Sequence, residues 1–327
     1  MDVVSDAIAA VRSGRPSSNR LRVAGRWGAR LPAYAGAGFH VVLAGSCWLM
    51  LDDGKSGGGG GGKGGGEPVR LEPGDAVLLP HGAGHALAGE PLTARQVALL
   101  PELDTLLAPG RAPVRPVGGT AGQAEGAVEG AAELLCGKYR LDHRRGHPLM
   151  RELPALVHLP TRSGEHPELA AAVGLLGAEL AGERPGGALA VPGLIDLLLV
   201  YLVRAWTTRR GADGWGAALA DPVVAAALAA VHEDPARAWT AGALAEQAGV
   251  SRATLTRRFT ALAGRPPMAY LTWWRMTRAA ALLRESADPL ETVARRVGYA
   301  SPYALSHAFA REFGTTPGRY RAARAAA

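Results

Sequence analysis

The spacing of apolar positions along this chain changes character partway along. Through residues 21–100 they fall in short runs, Phe39–Val42, Cys47–Leu51, Val69–Leu71 and Ala76–Leu79, each bounded by Gly, Pro or Asp. Runs so short and so punctuated predict strands of a sandwich or barrel. A further β-like patch covers Glu133–Leu141. The period then becomes helical, and Pro167–Leu180 and Val191–Trp206, rich in Leu and Ala, predict two helices. Residues 1–20 hold a short amphipathic stretch followed by Gly, Pro, Ser and Asn; residues 105–130 read as a Pro/Gly/Ala connection and Gly211–Gly216 as a linker. Asp221-Pro222 is a helix start, with Asp as cap and Pro in the first turn. Between two of the strands, Gly54–Gly66 is mostly glycine, a composition that predicts a pliant hairpin insertion outside any packed core.

The last third of the chain repeats itself. Ser251, Leu255, Phe259, Gly264, Pro267 and Tyr270 return at equal intervals as Ser301, Leu305, Phe309, Gly314, Pro317 and Tyr320. The preceding helices match as well, Leu244-Ala245 with Gly249 against Val293-Ala294 with Gly298, the second turn being one residue longer. Each copy reads as helix, tight turn, helix. Glycine at the stop can take the left-handed conformation, and a serine opens the second helix as its cap. Leu255 with Phe259, and Leu305 with Phe309, stand four apart and predict a core face.

The opposite faces offer Ala253, Thr256 and Arg257 in one copy and Tyr303, Ser306 and His307 in the other. These are side chains able to meet base edges in a major groove. Arg252, Arg258 and Arg311 flank them and suit phosphates. Met268–Arg284 predicts a helix between the copies, roughly 25 Å long at ~1.5 Å per residue. Such a strut could hold two reading helices in successive grooves about 34 Å apart. Trp273 and Trp274 are read as aromatics packing it on both units.

The stretch 241–321, with Gly298-Tyr299-Ala300-Ser301, then Phe309 through Phe313-Gly314, Pro317 and Tyr320-Arg321, resembles the DNA-binding domain of the AraC/XylS family of bacterial transcription regulators. The resemblance implies base readers at the positions just named. His307 stands where the family often has Arg, so the preference of the second half-site departs from the family's.

Upstream, Gly74-Asp75, Pro80, Gly82 and His85 follow the spacing G-x5-P-x-G-x2-H, which resembles the second motif of cupins. His40 sits where the first cupin motif supplies a metal ligand, but Val42 and other apolar residues replace that motif's second His and its Glu. A catalytic metal needs about three protein ligands, so a catalytic cupin is not expected. Leu135-Cys136-Gly137, His147-Pro148-Leu149, Leu153-Pro154 and His158-Leu159 resemble the cupin-type sensor half of one branch of AraC-like regulators, some of which respond to oxidants through cysteines. The resemblance implies a sensory domain. Its candidate effector or divalent-metal residues are His40, His85, Cys136 and His143, and its candidate redox residues Cys47 and Cys136. For either histidine or either thiol, a purely packing role is the competing reading.

Charge sharpens the division. From Asp221 onward 14 Arg and no Lys face 8 acids, an excess of +6 within a chain total of +7. A basic third on a near-neutral body is the footprint of nucleic-acid binding. Two cysteines and no CxxC fit neither a disulfide framework nor a zinc ribbon, and a reducing cytoplasm fits best. The most apolar run, Leu194–Val203, is about half the ~20 residues that span a bilayer, so no membrane segment is expected.

The fold expected is α+β with two domains: a cupin-like β-barrel over 1–160 with its insertion at 54–66, linker or dimerisation helices over 161–216, and an all-α double helix-turn-helix domain over 217–327. The function expected is effector-responsive control of transcription, an activator by family analogy and not an enzyme, whose partners are double-stranded DNA, RNA polymerase, a small-molecule effector and a second copy of the chain. The sequence specifies no cofactor; a divalent metal in the cupin-like domain is the one candidate. The apolar helix Leu194–Trp206 suits either a dimer surface or its own β domain. The rival is a metal-dependent cupin enzyme with an appended DNA-binding module.

Overall fold

A computed structural model describes residues 2–11, 15–52, 67–106, 131–141, 147–160, 165–182, 184–209 and 214–325. The elements run α1 (Val3–Val11), β1 (Ser17–Val23), β2 (Gly28–Leu31), β3 (Ala37–Gly45), β4 (Cys47–Leu51), β5 (Val69–Leu71), β6 (Ala76–Leu79), β7 (His85–Ala88), α2 (Ala94–Val97), α3 (Leu103–Leu106), β8 (Ala132–Tyr139), α4 (Pro148–Glu152) and β9 (Val157–Leu159). Ten helices follow among the described residues: α5 (Pro167–Leu180), α6 (Gly187–Arg209), α7 (Gly214–Ala220), α8 (Pro222–Glu233), α9 (Ala241–Gln247), α10 (Arg252–Ala263), α11 (Pro267–Glu285), α12 (Leu290–Arg296), α13 (Pro302–Phe313) and α14 (Pro317–Ala325). The insertion at 54–66 and most of the 105–130 connection lie outside the described residues.

The chain forms two compact units that interleave in sequence. One holds Met1–Val11, Arg144–Glu152 and Thr207–Ala327, the other Arg12–His143 and Leu153–Trp206. In the β unit, every strand pair is antiparallel, in two sheets of order β1-β8-β3-β6-β9 and β2-β7-β4-β5. The cupin-like β domain expected from sequence is present, and among the described residues its two sheets face each other without strand hydrogen bonds closing them into one ladder. Alternation along the strands sends Leu21, Val42, Val77, Leu79, Leu134 and Cys136 of one sheet and Leu31, Leu49, Leu71 and Leu87 of the other into a common core. Gly137 lies under Phe39, where a Cβ would fall 2.0 Å from the ring.

Helix α6 runs 23 residues, longer than the apolar stretch read from sequence, and by length and composition alone it could cross a membrane. It carries a buried stripe of Ile195, Leu198, Leu199, Leu202, Val203 and Trp206, as a core helix does. The Tyr139 hydroxyl donates to the Ile195 carbonyl.

The helical unit follows the repeat. Asp221 caps α8, its Oδ1 accepting the Val223 and Val224 amides at 2.9 and 3.0 Å. Ser251 and Ser301 cap α10 and α13, each Oγ accepting the amide three residues on at 3.2 Å. The turn glycines have φ of +67° at Gly249 and +78° at Gly298, a region that costs other residues a steric penalty. Gly298 is doubly required, because a Cβ there would lie 2.7 Å from the Ala236 carbonyl oxygen.

Leu255 and Phe259 are buried, as are Leu305 and Phe309. The strut α11 supplies Tyr270 to the first copy, its ring 5.5 Å from that of Phe259. To the second it supplies Met276, Ala279, Ala280 and Leu283, which pack with Val293, Leu305 and Phe309. Trp274 is 1% exposed and stacks on His232, with centroids 4.2 Å apart.

Candidate functional site

The faces of α10 and α13 opposite the core are open. Ala253, Arg257, Arg252 and Arg258 are exposed and Thr256 is half-buried; Tyr303 is 82% exposed, His307 and Arg311 are exposed, and Ser306 is half-buried. The two sets occupy equivalent positions because the caps, turn glycines and core pairs fix the same rotation of each helix about its axis. Arg258 is held by an ion pair to Asp221 at 3.4 Å, so its guanidinium is tied to the cap of α8. Arg252, Arg257 and Arg311 make no ion pair among the described residues. Free guanidiniums beside small and hydroxyl side chains can bind phosphate and read base edges together.

Behind the first reading helix lies a buried polar chain that the sequence did not announce. The Leu149 amide donates to His147 Nδ1 at 3.1 Å, so that nitrogen carries no proton. Burial holds His147 and His232 below their usual imidazole range, so both are neutral near pH 7. His147 Nε2–H then donates to the Tyr270 hydroxyl at 2.8 Å, the hydroxyl donates to His232 Nε2 at 2.7 Å, and His232 Nδ1–H donates to Asp6 Oδ2 at 2.8 Å. All four bonds point the same way. They tie α1, α4, α8 and the strut together inside the DNA-binding unit. Tyr270 was visible as a repeat landmark. Its hydroxyl's partners were not, being 123 and 38 residues away.

In the β unit, His40 on β3 and His85 on β7 come from opposite sheets and meet, Nε2 to Nε2, at 2.8 Å. Both are 2% exposed, and burial lowers both pKa values, that of His85 to about 4. Cys136 is the cross-strand neighbour of His40. His143 lies outside the described residues. Among the described residues no group of three or more His, Cys, Asp or Glu could hold a metal ion. Burial pushes the Cys47 and Cys136 thiols up to about 12, so neither is poised as a thiolate.

The chain matches the Cupin family over residues 2–208 and the family described as "Helix-turn-helix domain" over residues 244–323. It is 34% identical over 330 residues to a putative AraC-like transcription regulator of Streptomyces lividans, covering 98% of each chain. To a protein of the same description from Streptomyces antibioticus it is 32% identical over 328 residues, again covering 98% of each. Among solved structures it is similar to the DNA-binding domain of AdpA in complex with a target DNA, with 38% identity, 32% of this chain and 95% of that chain covered, and a TM-score of 0.31.

Proposed function

Because the chain belongs to the AraC-like family of transcription regulators, with a cupin domain ahead of its helix-turn-helix domain, we propose that it reads a bipartite DNA site with α10 and α13 and changes its hold on that site when a small molecule occupies the β unit. The observation that carries the DNA reading is the pair of capped helices presenting equivalent exposed faces, joined by one 19-residue strut. Ala253, Thr256 and Arg257 read one half-site and Tyr303, Ser306 and His307 the other, while Arg252, Arg258 and Arg311 hold phosphates. RNA polymerase and a second copy of the chain are the protein partners this reading calls for, and the cytoplasm is where it acts. No catalytic step is part of this reading. An effector can alter DNA affinity only by binding one conformational state more tightly than another.

The test is Arg257→Ala, assayed on a site selected from random-sequence DNA and on unrelated DNA. Loss of a base contact costs about 1–3 kcal/mol, roughly 5- to 150-fold, on the selected site, and changes binding to unrelated DNA far less. Equal losses on both would reduce Arg257 to a phosphate contact.

A further inference from the structure

A cavity of about 310 Å³ opens beside the His40–His85 pair, lined by Ser18, Arg30, Tyr34 and Lys138 as well as the apolar Leu31 and Leu103. Its volume lies at the lower end of the ~300–1,000 Å³ of small-molecule sites. Among the buried side-chain atoms without a hydrogen-bond partner in the described residues, four belong to this lining: Ser18 Oγ, Arg30 Nε, Tyr34 Oη and His40 Nδ1. Native interiors leave few such atoms, and each unmet group costs about 1–3 kcal/mol, so their concentration around one hollow points to a ligand that satisfies them.

The hydrogen-bond chain fixes what that ligand must offer. His85 Nδ1 sits 2.9 Å from the Ala83 carbonyl and donates to it. The ring is neutral, so its Nε2 is bare and accepts from His40 Nε2–H at 2.8 Å. His40 is neutral too, which leaves its Nδ1 as an acceptor in want of a donor. Arg30 is the opposite case. One terminal nitrogen is spent on Glu102 at 2.9 Å, and its Nε–H is a donor in want of an acceptor. Tyr34 and Ser18 hydroxyls serve in either sense. Lys138 pairs with Asp104 at 3.2 Å as Arg30 does with Glu102, so the charges balance and what the lining leaves unmet is the Arg30 Nε–H rather than a whole charge. A carboxylate oxygen accepts from the Arg30 Nε–H, and a hydroxyl on the same molecule donates to His40 Nδ1.

We propose that this cavity binds a small hydroxylated carboxylate, its carboxylate on Arg30, its hydroxyl donating to His40, and its carbon body against Leu31 and Leu103. This rests on the reading of the β unit as a sensor and names the chemistry it senses.

The test uses the full chain and ligand-observed NMR with calorimetry. The probes are lactate, mandelate and salicylate, each beside its primary amide and its deoxy counterpart (propionate, phenylacetate and benzoate). At least one hydroxy acid binds with a Kd below millimolar, and its amide and deoxy partners bind at least 10-fold more weakly. Arg30→Gln erases the preference for acid over amide, and Tyr34→Phe weakens the acid several-fold, both variants keeping the wild-type circular dichroism spectrum. The proposal is overturned if none of the three acids binds, if amides bind as well as acids, or if Arg30→Gln binds like the wild type. Binding to the selected DNA site is followed in the same samples. Acids that bind without changing DNA affinity keep the site and sink the sensor reading; intact DNA binding with no acid bound sinks the site alone.

Discussion

Tyr270 and Tyr320 occupy the same place in the two copies, yet their hydroxyls do different work. Tyr270 bridges two buried imidazoles, whereas Tyr320 accepts from Arg284 at 3.1 Å in a half-buried setting. Removing the first hydroxyl strands two nitrogens away from water. Tyr270→Phe is therefore expected to cost about 1–3 kcal/mol in denaturant unfolding, and Tyr320→Phe clearly less. At the caps, Ser301→Ala should cost about 1 kcal/mol, read in the same unfolding curves. Residue roles were legible wherever they were local. Serine three residues before an amide and glycine at a helix stop need no knowledge of the fold. His147, His232 and Asp6 were silent because their bonds span up to 226 residues of chain, and Arg30, Tyr34 and Ser18 because a cavity appears only once two sheets face each other.

Helices and strands were largely visible because periodicity is a property of neighbours. The runs Cys47–Leu51, Val69–Leu71 and Ala76–Leu79 are strands as read, and the strut extends the expected Met268–Arg284 by one residue at each end. What periodicity could not give was how strands associate. Pairing of β1 with β8 joins residues more than a hundred apart, and sheet closure depends on such pairings rather than on any one strand. The strut invites its own experiment. One alanine inserted after Arg278 turns everything beyond it by about 100° and advances it ~1.5 Å. The two reading helices would then no longer face the same side of a duplex. Binding to the bipartite site is expected to fall to that of a single half-site, measured by fluorescence anisotropy, while each half-site alone keeps its affinity.

Over the whole molecule, burial of neutral histidines sets the response to acid. In both units imidazoles have folded pKa values below the ~6.5 of the unfolded chain. The unfolded state thus binds more protons below that pH, and stability, complete above about 6.5, is lost as pH falls toward 4. Thermal unfolding should show Tm dropping between pH 7 and pH 5, and His85→Gln should flatten part of that slope. A Tm indifferent to pH over this range would mean the imidazoles are not buried as described. The excess of arginine after Asp221 was readable from composition and agrees with a DNA-facing helical unit, whereas the inclusion of α1 and residues 144–152 in that unit was not, because they are remote in sequence.

Hydroxyl-radical footprinting of the full chain on its selected DNA site measures the claim that both repeats engage one duplex. Two protected windows on the same face, centred about one helical turn (~10 base pairs) apart, are predicted, with Arg257→Ala fading one window and His307→Ala the other. A single window unaffected by His307→Ala, or two on opposite faces, would contradict it.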